Sequence, residues 1–472
     1  MVNKFMKPIK LMDVVKHVQA IDYTAKDRTI SIEQVEFDSR KITPNSLFVP
    51  LVGGTTDGHD YIDKAIELGA TATFWSKSPE EAPSDQIAVI FVDDTLEAMQ
   101  RLAHFYRQEL NPIVIGITGS NGKTTTKDMT AATLTAKYSV HKTQGNYNNE
   151  IGLPYTLLQM PADTQVCVVE MGMSGFGEIK ALTQIAEPDI AVITLIGESH
   201  LEHLGNRKGI AQAKLEILHG LKANGVFIYP ANEELISDEM PVIEEPIYMR
   251  SFGFTEFADV YAYDLVEEQA KTYFKTNVDE NVVCMIPVIG AYNVSNALIA
   301  LSIAEVLDVP SEQAIFQLAQ FELTANRLQW LTTHQGAQLL NDAYNASPTS
   351  VRAVLNTLST VNIEQAGRKI AVLGDIRELG DESAKFHREL SDSLDPNVID
   401  HVYLFGTEMA HLYEALQQKY SPEKLFYEKE NHKTLISELE TAIQSDDVVL
   451  VKSSFGVDLL QVVTSLTGQA TK

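Results

Sequence analysis

The chain has 472 residues, 44% of them hydrophobic and 21% charged, which is the composition of a globular protein with material for about three domains of ordinary size. Its 37 Lys and Arg against 64 Asp and Glu give a formal charge of −27, which excludes a general nucleic-acid coat or an anionic-membrane binder, since both need a basic field. Anionic substrates stay open, because a few basic side chains and backbone N–H groups can hold a phosphate inside an acidic protein.

In chain order, the first hundred or so residues predict a small mixed domain. Short β-type runs (VEFD, SLFVP, TATFW, AVIFV) are separated by turns and by helical stretches over about 60–69 and 94–109. A boundary is expected at Asn111-Pro112, because proline pushes the preceding residue out of the helical region. Apolar runs at 113–117, 165–169, 189–196 and 225–229 then alternate with helical segments, the pattern of a parallel sheet with crossover helices. The stretch 241–289 is richer in β-type runs and predicts an antiparallel extension, followed by helices near 293–307 and 312–321. After Leu323 a third alternating unit predicts strands at 337–341, 369–374, 400–405 and 447–451, with Gly374 and Gly406 in the turns after two of them. Two cysteines, Cys167 and Cys284, each lie in an apolar stretch, so neither a disulfide framework nor a zinc cluster is expected and a reducing cytoplasm is implied. No run reaches the roughly 18 apolar residues of a membrane span, and no basic segment followed by an apolar run opens the chain.

The strongest local signal is IVIGITGSNGKTTTKDM at 113–129. An apolar strand runs into Gly119, Ser120, Asn121, Gly122, Lys123 and Thr124, and a helix follows. Glycines let the backbone wrap a phosphate, the helix N-terminus points N–H groups at it, Lys123 neutralises the outer phosphates and the Thr124 hydroxyl suits Mg²⁺. A strict Walker loop needs a further glycine where this chain has Ile117, so the loop is a shortened variant. Glu170 follows the strand QVCVV and His200 follows DIAVITLI, and ligands of parallel sheets bind beyond such strand ends. A carboxylate and an imidazole beside a phosphate loop suit a divalent cation. Each also has a plainer reading, Glu170 as a helix cap and His200 as a surface turn residue, with His203 a second candidate. Lys214, on an amphipathic helix, reads from periodicity as solvated. Asn293 and Asn296 share one helix face, and capping is the ordinary role for Asn293. LLNDAYNASPTS and KIAVLGDIRELGDES place Asp342, Tyr344, Asn345, Ser347 and Ser350, then Asp375, Arg377 and Glu378, in loops after strands, where sites are frequent and ordinary turns more so.

These motifs together resemble the Mur ligase superfamily, ATP-dependent amide-forming enzymes of cell-wall synthesis, over nearly the whole chain. FDSRKITPNSLFVPLVGGTTDGHDYI is similar to the nucleotide-sugar-binding domain of the later ligases, GITGSNGKTTTK to the phosphate loop, TQGNYNNEIGLP to its companion segment, and VVEMGMSGFGEI and GESHLEHLG to two metal-binding segments. The resemblance implies an α/β fold in three domains: a small mixed α/β UDP-sugar-peptide-binding domain over 1–110, a central P-loop-type ATPase domain with a mostly parallel sheet over 111–323, and a Rossmann-like dipeptide-binding domain over 324–472. DAYNASPTS and LGDIRELG favour the member that joins D-alanyl-D-alanine to UDP-N-acetylmuramoyl-tripeptide over the member that adds a diamino acid, whose usual DNPR motif is absent here. The cofactors implied are ATP and Mg²⁺, and the expectation is a cytoplasmic monomer with no nucleic-acid partner and no membrane insertion.

The same resemblance implies roles residue by residue. Gly119, Ser120, Asn121, Gly122, Lys123, Thr124 and Thr125 would bind ATP with Asn293, Asn296, Arg327 and Asp342, the last two arriving from the third domain. Thr124, Glu170 and His200 would hold magnesium, helped by Lys214, which matches a lysine the family carbamylates. Lys123, Lys214, Glu170 and His200 would be the catalytic set. Ser39, Arg40, Asn146, Asn149, Tyr344, Asn345 and Ser350 would contact the other substrates. Asn326 stands where the family usually has glycine, and KSSFGVDLL replaces the usual ending of the last strand. A switch ATPase is the rival class, distinguished by ATP turnover without a joined product.

Overall fold

The computed structural model describes residues 6–268, 270–324, 326–363 and 367–469; positions 1–5 and 470–472 of the expected outer domains lie outside the described residues. In the N-terminal part, five strands run in the order Asp22–Thr24, Ala88–Phe91, Ala70–Trp75, Ser46–Phe48, Gln34–Glu36, parallel except for the first. A two-stranded ribbon, Ile9–Lys10 with Ser31–Ile32, lies beside them. The helix Thr95–Leu110 is capped by the Asp94 carboxylate, which accepts from Glu97 N–H at 2.8 Å, and buries Ala98, Met99, Leu102 and Tyr106 along one stripe. Its end corrects one expectation. Asn111, ahead of Pro112, is left-handed at φ 46° rather than extended, because its N–H still closes the last turn on Arg107 O at 2.9 Å and asparagine tolerates that region.

The central sheet has nine strands, with Ile113–Thr118 between Val166–Glu170 and Ile190–Ile193. The chain leaves Ile113–Thr118 for the far edge at Val140–Lys142, returns through Val166–Glu170, and then crosses to Ile190–Ile193 on the other side. Strand order therefore reverses at the carboxyl end of Ile113–Thr118, where a crevice opens. Both faces of these strands are covered, which is why they read as unbroken apolar runs. Ile115, Ile117, Val166 and Val168 pack with Met129, Leu134 and the helix Ala291–Val306, while Val114, Cys167 and Val169 pack with Ile179, Leu182 and Ile210. The edge strand Val140–Lys142 and the helix Gly152–Leu158 escaped the sequence reading. The antiparallel extension is narrower than expected. Tyr248–Gly253 and Val260–Glu268 continue the parallel set, and pairing reverses only at Lys271–Thr276 and Cys284–Ile286, where the connection is too short for a crossover. Both cysteines are free and buried.

The third sheet runs Gln329–Thr332, Gln338–Asp342, Val448–Lys452, Lys369–Gly374, His401–Phe405, Leu425–Glu428, parallel except for the first. Its outer strands Gln329–Thr332 and Leu425–Glu428 were not expected, being short and only partly buried. The last strand runs between the first two parallel strands, so Asp342 and Lys452 come into register at the carboxyl edge.

Candidate active site

The phosphate-type loop sits at the central crevice. Gly119 has φ 150° and a methyl there would lie 1.8 Å from Thr194 Oγ1; Gly122 has φ 82° and a methyl would lie 2.6 Å from Asn296 Oδ1. Only glycine fits both the angles and the space. Gly122 is also the N-cap of the helix Lys123–Leu134, and no side chain caps that helix, so its first-turn N–H groups are left for a ligand. The loop is braced from behind: Gly197 N–H donates to Ser120 Oγ at 2.8 Å, and Thr194 Oγ1 donates to Asn121 O at 2.5 Å. Lys123 folds back to donate to Gly119 O at 2.8 Å. Desolvation pulls its pKa down, with the nearby Arg327 charge adding and Glu170 opposing.

Glu170 is the buried hub beside the loop. It accepts from Thr124 Oγ1 and from Asn148 Nδ2, both at 2.8 Å, while its own N–H donates to Thr143 Oγ1 at 3.0 Å. The plainer reading of Glu170 as a helix cap does not hold. Among the described residues no group of three or more His, Cys, Asp or Glu could hold a metal ion. Magnesium does not need one, since it binds through one or two protein oxygens plus substrate phosphates and water, and the Thr124–Glu170 pair fits that pattern.

His200 and Lys214 lie off the main cavity. His200 has φ 64° and precedes the short helix Leu201–Leu204; its Nδ1 pairs with the Glu378 carboxylate of the third domain. Glu378 has φ 63°, and the adjoining His200 imidazole is the first cause of its lowered pKa. His203 stays on the surface. Lys214 corrects the sequence reading, because it is buried rather than solvated. The helix Arg207–Leu215 buries Ile210, Ala211, Ala213 and Leu215 as well, so it is wrapped on more than one face. Among the described residues no ion pair or hydrogen bond reaches the Lys214 ammonium, and burial first, then the Lys123 charge, holds its pKa well below the ordinary value.

A cavity of about 230 Å³ opens in front of the loop, lined by Ser120 to Thr125, Glu170, Asn293 and Asn296. Arg327, Asp342, Tyr344, Asn345, Ser350 and Lys452 of the third domain line it as well. Asn293 is not the cap of its helix, a position taken by Gly290. Its Nδ2 donates to Ile289 O at 2.8 Å and its Oδ1 accepts from Asn296 Nδ2 at 3.2 Å, while Asn296 Oδ1 accepts from Thr126 Oγ1 at 3.1 Å. The two amides therefore tie the helix Ala291–Val306 to the loop helix. Asp342 pairs with the buried Lys452 at 2.5 Å, and Lys452 also donates to Asn345 O at 3.0 Å. The Arg327 guanidinium lies 4.6 Å from the Tyr344 ring centroid, and its Nε is buried without a hydrogen-bond partner among the described residues. Ser350 completes a capping box with Ser347, whose Oγ also accepts from Asn121 Nδ2 at 2.9 Å across the domains. Asn326, at φ 64°, takes the left-handed conformation that asparagine tolerates, which accounts for it in place of glycine.

Ser39, Arg40, Asn146 and Asn149 do not reach this cavity. Ser39 is buried, Arg40 is exposed and forked onto Asp38 at 2.8 Å, and Asn146 is exposed. Asn149 Oδ1 accepts from Gly152 N–H at 2.9 Å, beside the start of a helix. Sequence reasoning missed Asn148, Lys452 and the Glu378 contact. The lysine ending the apolar run VVLVK was the one available signal, because a charge closing a buried strand needs a partner.

Models of the Mur ligase middle domain, the Mur ligase glutamate ligase domain and the Mur ligase family catalytic domain match residues 117–304, 326–455 and 31–107. The chain is 41% identical over 435 residues to the UDP-N-acetylmuramoyl-tripeptide–D-alanyl-D-alanine ligase of Bacillus subtilis (strain 168), covering 92% of this chain and 93% of that one. It is 31% identical to the Escherichia coli (strain K12) enzyme of the same name, over 94% and 95% of the two chains. Among solved structures, a MurF of Acinetobacter baumannii aligns with TM-score 0.85 and 28% identity, covering 98% of this chain and 100% of that one. A MurF ligase of Thermotoga maritima in complex with ADP aligns with TM-score 0.79 and 28% identity, over 92% and 97%.

Proposed function

The chain belongs to the Mur ligase family, and from that premise we propose that it joins the amine of D-alanyl-D-alanine to the terminal carboxylate of UDP-N-acetylmuramoyl-tripeptide, using ATP. The product is a peptidoglycan precursor, and ADP and phosphate are released. The carrying observation is one cavity that joins the uncapped glycine loop to Arg327, Asp342 and Tyr344 of the third domain, in a chain similar along its length to ligases of this name.

Amide formation from a carboxylate is uphill in water, so the carboxylate is first phosphorylated: its oxygen bonds to the γ-phosphorus and ADP leaves. The dipeptide amine then attacks the acyl carbon, phosphate leaves, and the amine gives up a proton. In this reading the loop 119–124, through its N–H groups from Asn121 onward and through Lys123, holds the phosphates and counters the charge that develops during transfer; the Ser120 N–H is already given to Leu195 O. Arg327 supplies a second cation from the third domain, so a complete charge set exists only with the domains together. Thr124 and Glu170 would hold Mg²⁺, which supplies charge neutralisation at phosphoryl oxygens. His200 would hold a second ion with Lys214. An amine kept neutral by burial is the form that adds carbon dioxide, forming an N–C bond and releasing a proton; the carbamate offers anionic oxygen ligands. Asn293 and Asn296 border the adenine side of the cavity in this reading. Ser39, Arg40, Asn146 and Asn149, outside the cavity, are assigned to the UDP-linked substrate, and Tyr344, Asn345 and Ser350 to the dipeptide. In this reading the chain acts as a monomer. A UDP-linked precursor and two unpaired thiols support a cytoplasmic setting.

The test is ADP release with each substrate omitted, with product mass as the check. Sustained release is expected only with ATP, UDP-tripeptide and D-alanyl-D-alanine together. Rapid release with ATP alone would favour the switch ATPase, and product from a UDP-dipeptide plus a free diamino acid would move the assignment to the neighbouring ligase.

A further inference from the structure

Arg377 is the one cation on the loop Asp375–Glu378, which follows the strand Lys369–Gly374 at the carboxyl edge of the third sheet. That loop is held rigidly. Ile376 N–H donates to the fully buried His387 Nε2 at 3.0 Å, Arg377 N–H donates to Ser454 Oγ at 3.0 Å, and Ser454 N–H donates to Asp375 O at 3.2 Å. The Asp375 carboxylate accepts from Met409 N–H at 2.9 Å. Beyond Arg377, the left-handed Glu378 sends its carboxylate to His200. Such backbone persists only where surrounding contacts over-determine it.

The guanidinium lies against Gly456, where a methyl would come within 2.5 Å of Nη1. Among the described residues Arg377 forms no ion pair, in a chain with 64 carboxylate side chains. The other cations nearby are engaged: Lys452 with Asp342, and Arg327 with the Tyr344 ring. Arg377 is exposed, and Phe455, next to Gly456 in the chain, is 62% exposed with its ring 5.6 Å from that of Tyr344, which lines the cavity. One exposed aromatic ring against the cavity-lining Tyr344 and an exposed, unpaired guanidinium beside it suit a short peptide with small side chains and a free carboxylate.

We propose that Arg377 binds the C-terminal carboxylate of the incoming dipeptide, which fixes its amine toward the cavity. A dipeptide spans roughly 7 Å, so the anchor and the reacting amine belong to one compact subsite. The fork of an arginine suits a carboxylate bidentately, and an amide in its place offers a donor where an acceptor is needed.

The inference rests on the reading under Proposed function, and the experiment separates the two. Wild type, Arg377→Met and Arg377→Lys are assayed with D-alanyl-D-alanine and with its C-terminal amide, with UDP-tripeptide and ATP saturating and folding checked by thermal melting. Wild type should prefer the acid over the amide by about tenfold or more in kcat/KM. Arg377→Met should raise KM for the acid by a similar factor and abolish the preference, while KM for ATP and UDP-tripeptide moves little. Arg377→Lys should recover part of the loss. A KM for the acid within twofold of wild type in Arg377→Met, or a preference that survives the substitution, overturns the subsite alone. No dipeptide product from wild type overturns the ligase reading and the subsite with it.

Discussion

The central and third sheets each open a crevice at the carboxyl edge of parallel strands, yet they treat the helix that begins there in opposite ways. The helix Lys123–Leu134 starts at a glycine with no side-chain cap, leaving its N–H groups and partial positive charge to a ligand. The helix Pro348–Thr360 starts with proline after a Ser347–Ser350 capping box, so the same groups are already satisfied. The cation at each crevice follows suit. Lys123 touches only a backbone oxygen and stays open to a phosphate, whereas Lys452 is committed to Asp342. The shared strand-turn-helix architecture thus becomes a phosphate site only where capping is withheld, and the capped crevice contributes side chains to the first one's cavity.

The contrast can be broken most sharply at Lys123. Lys123→Ala should fold normally and lose on the order of 10³-fold in kcat/KM, measured by ADP release, because it deletes the one cation of the uncapped loop. Near-normal turnover would remove the phosphate site from the central crevice. Glu170→Gln should raise the Mg²⁺ concentration for half-maximal activity by at least roughly tenfold, with chelation by EDTA silencing both proteins; an unchanged Mg²⁺ titration would deny Glu170 its place.

Lys214 sharpens the comparison through pH. Its folded pKa lies well below the ordinary 10.5, so between those values the unfolded chain binds more protons and stability rises with pH. In CO₂-free buffer, wild type should gain up to about 1.4 kcal/mol per pH unit across that window, and Lys214→Met should lose this rise in urea melts run from pH 7 to 9.5. The same variant should lose activity, and Lys214→Ala should regain part of it with short carboxylates. Parallel pH curves for the two proteins would return Lys214 to a solvated role. The smallest effect is expected at the capped crevice, where Ser347→Ala should cost about 1 kcal/mol of stability and only a few-fold in turnover. A loss of activity as large as that of Lys123→Ala would make the two crevices equivalent.

Contiguity decided what could be read from the sequence alone. The strand, glycine turn, lysine and helix of 113–129 are neighbours along the chain, and each residue type acts through backbone angles or periodicity that need no distant partner. The parallel grammar of the central and third sheets was legible for the same reason, since strands buried on both faces appear as unbroken apolar runs. The short outer strands, half-buried and unpatterned, were not. Tertiary structure alone placed Asn148 on Glu170 across 22 positions, Lys452 on Asp342 across 110, and Glu378 on His200 from another domain. It also buried Lys214, whose helix reads as amphipathic until neighbouring elements cover its polar face. Charge and burial at these positions depend on which strand lies beside which, and that order follows from the summed packing of whole sheets rather than from any local pattern.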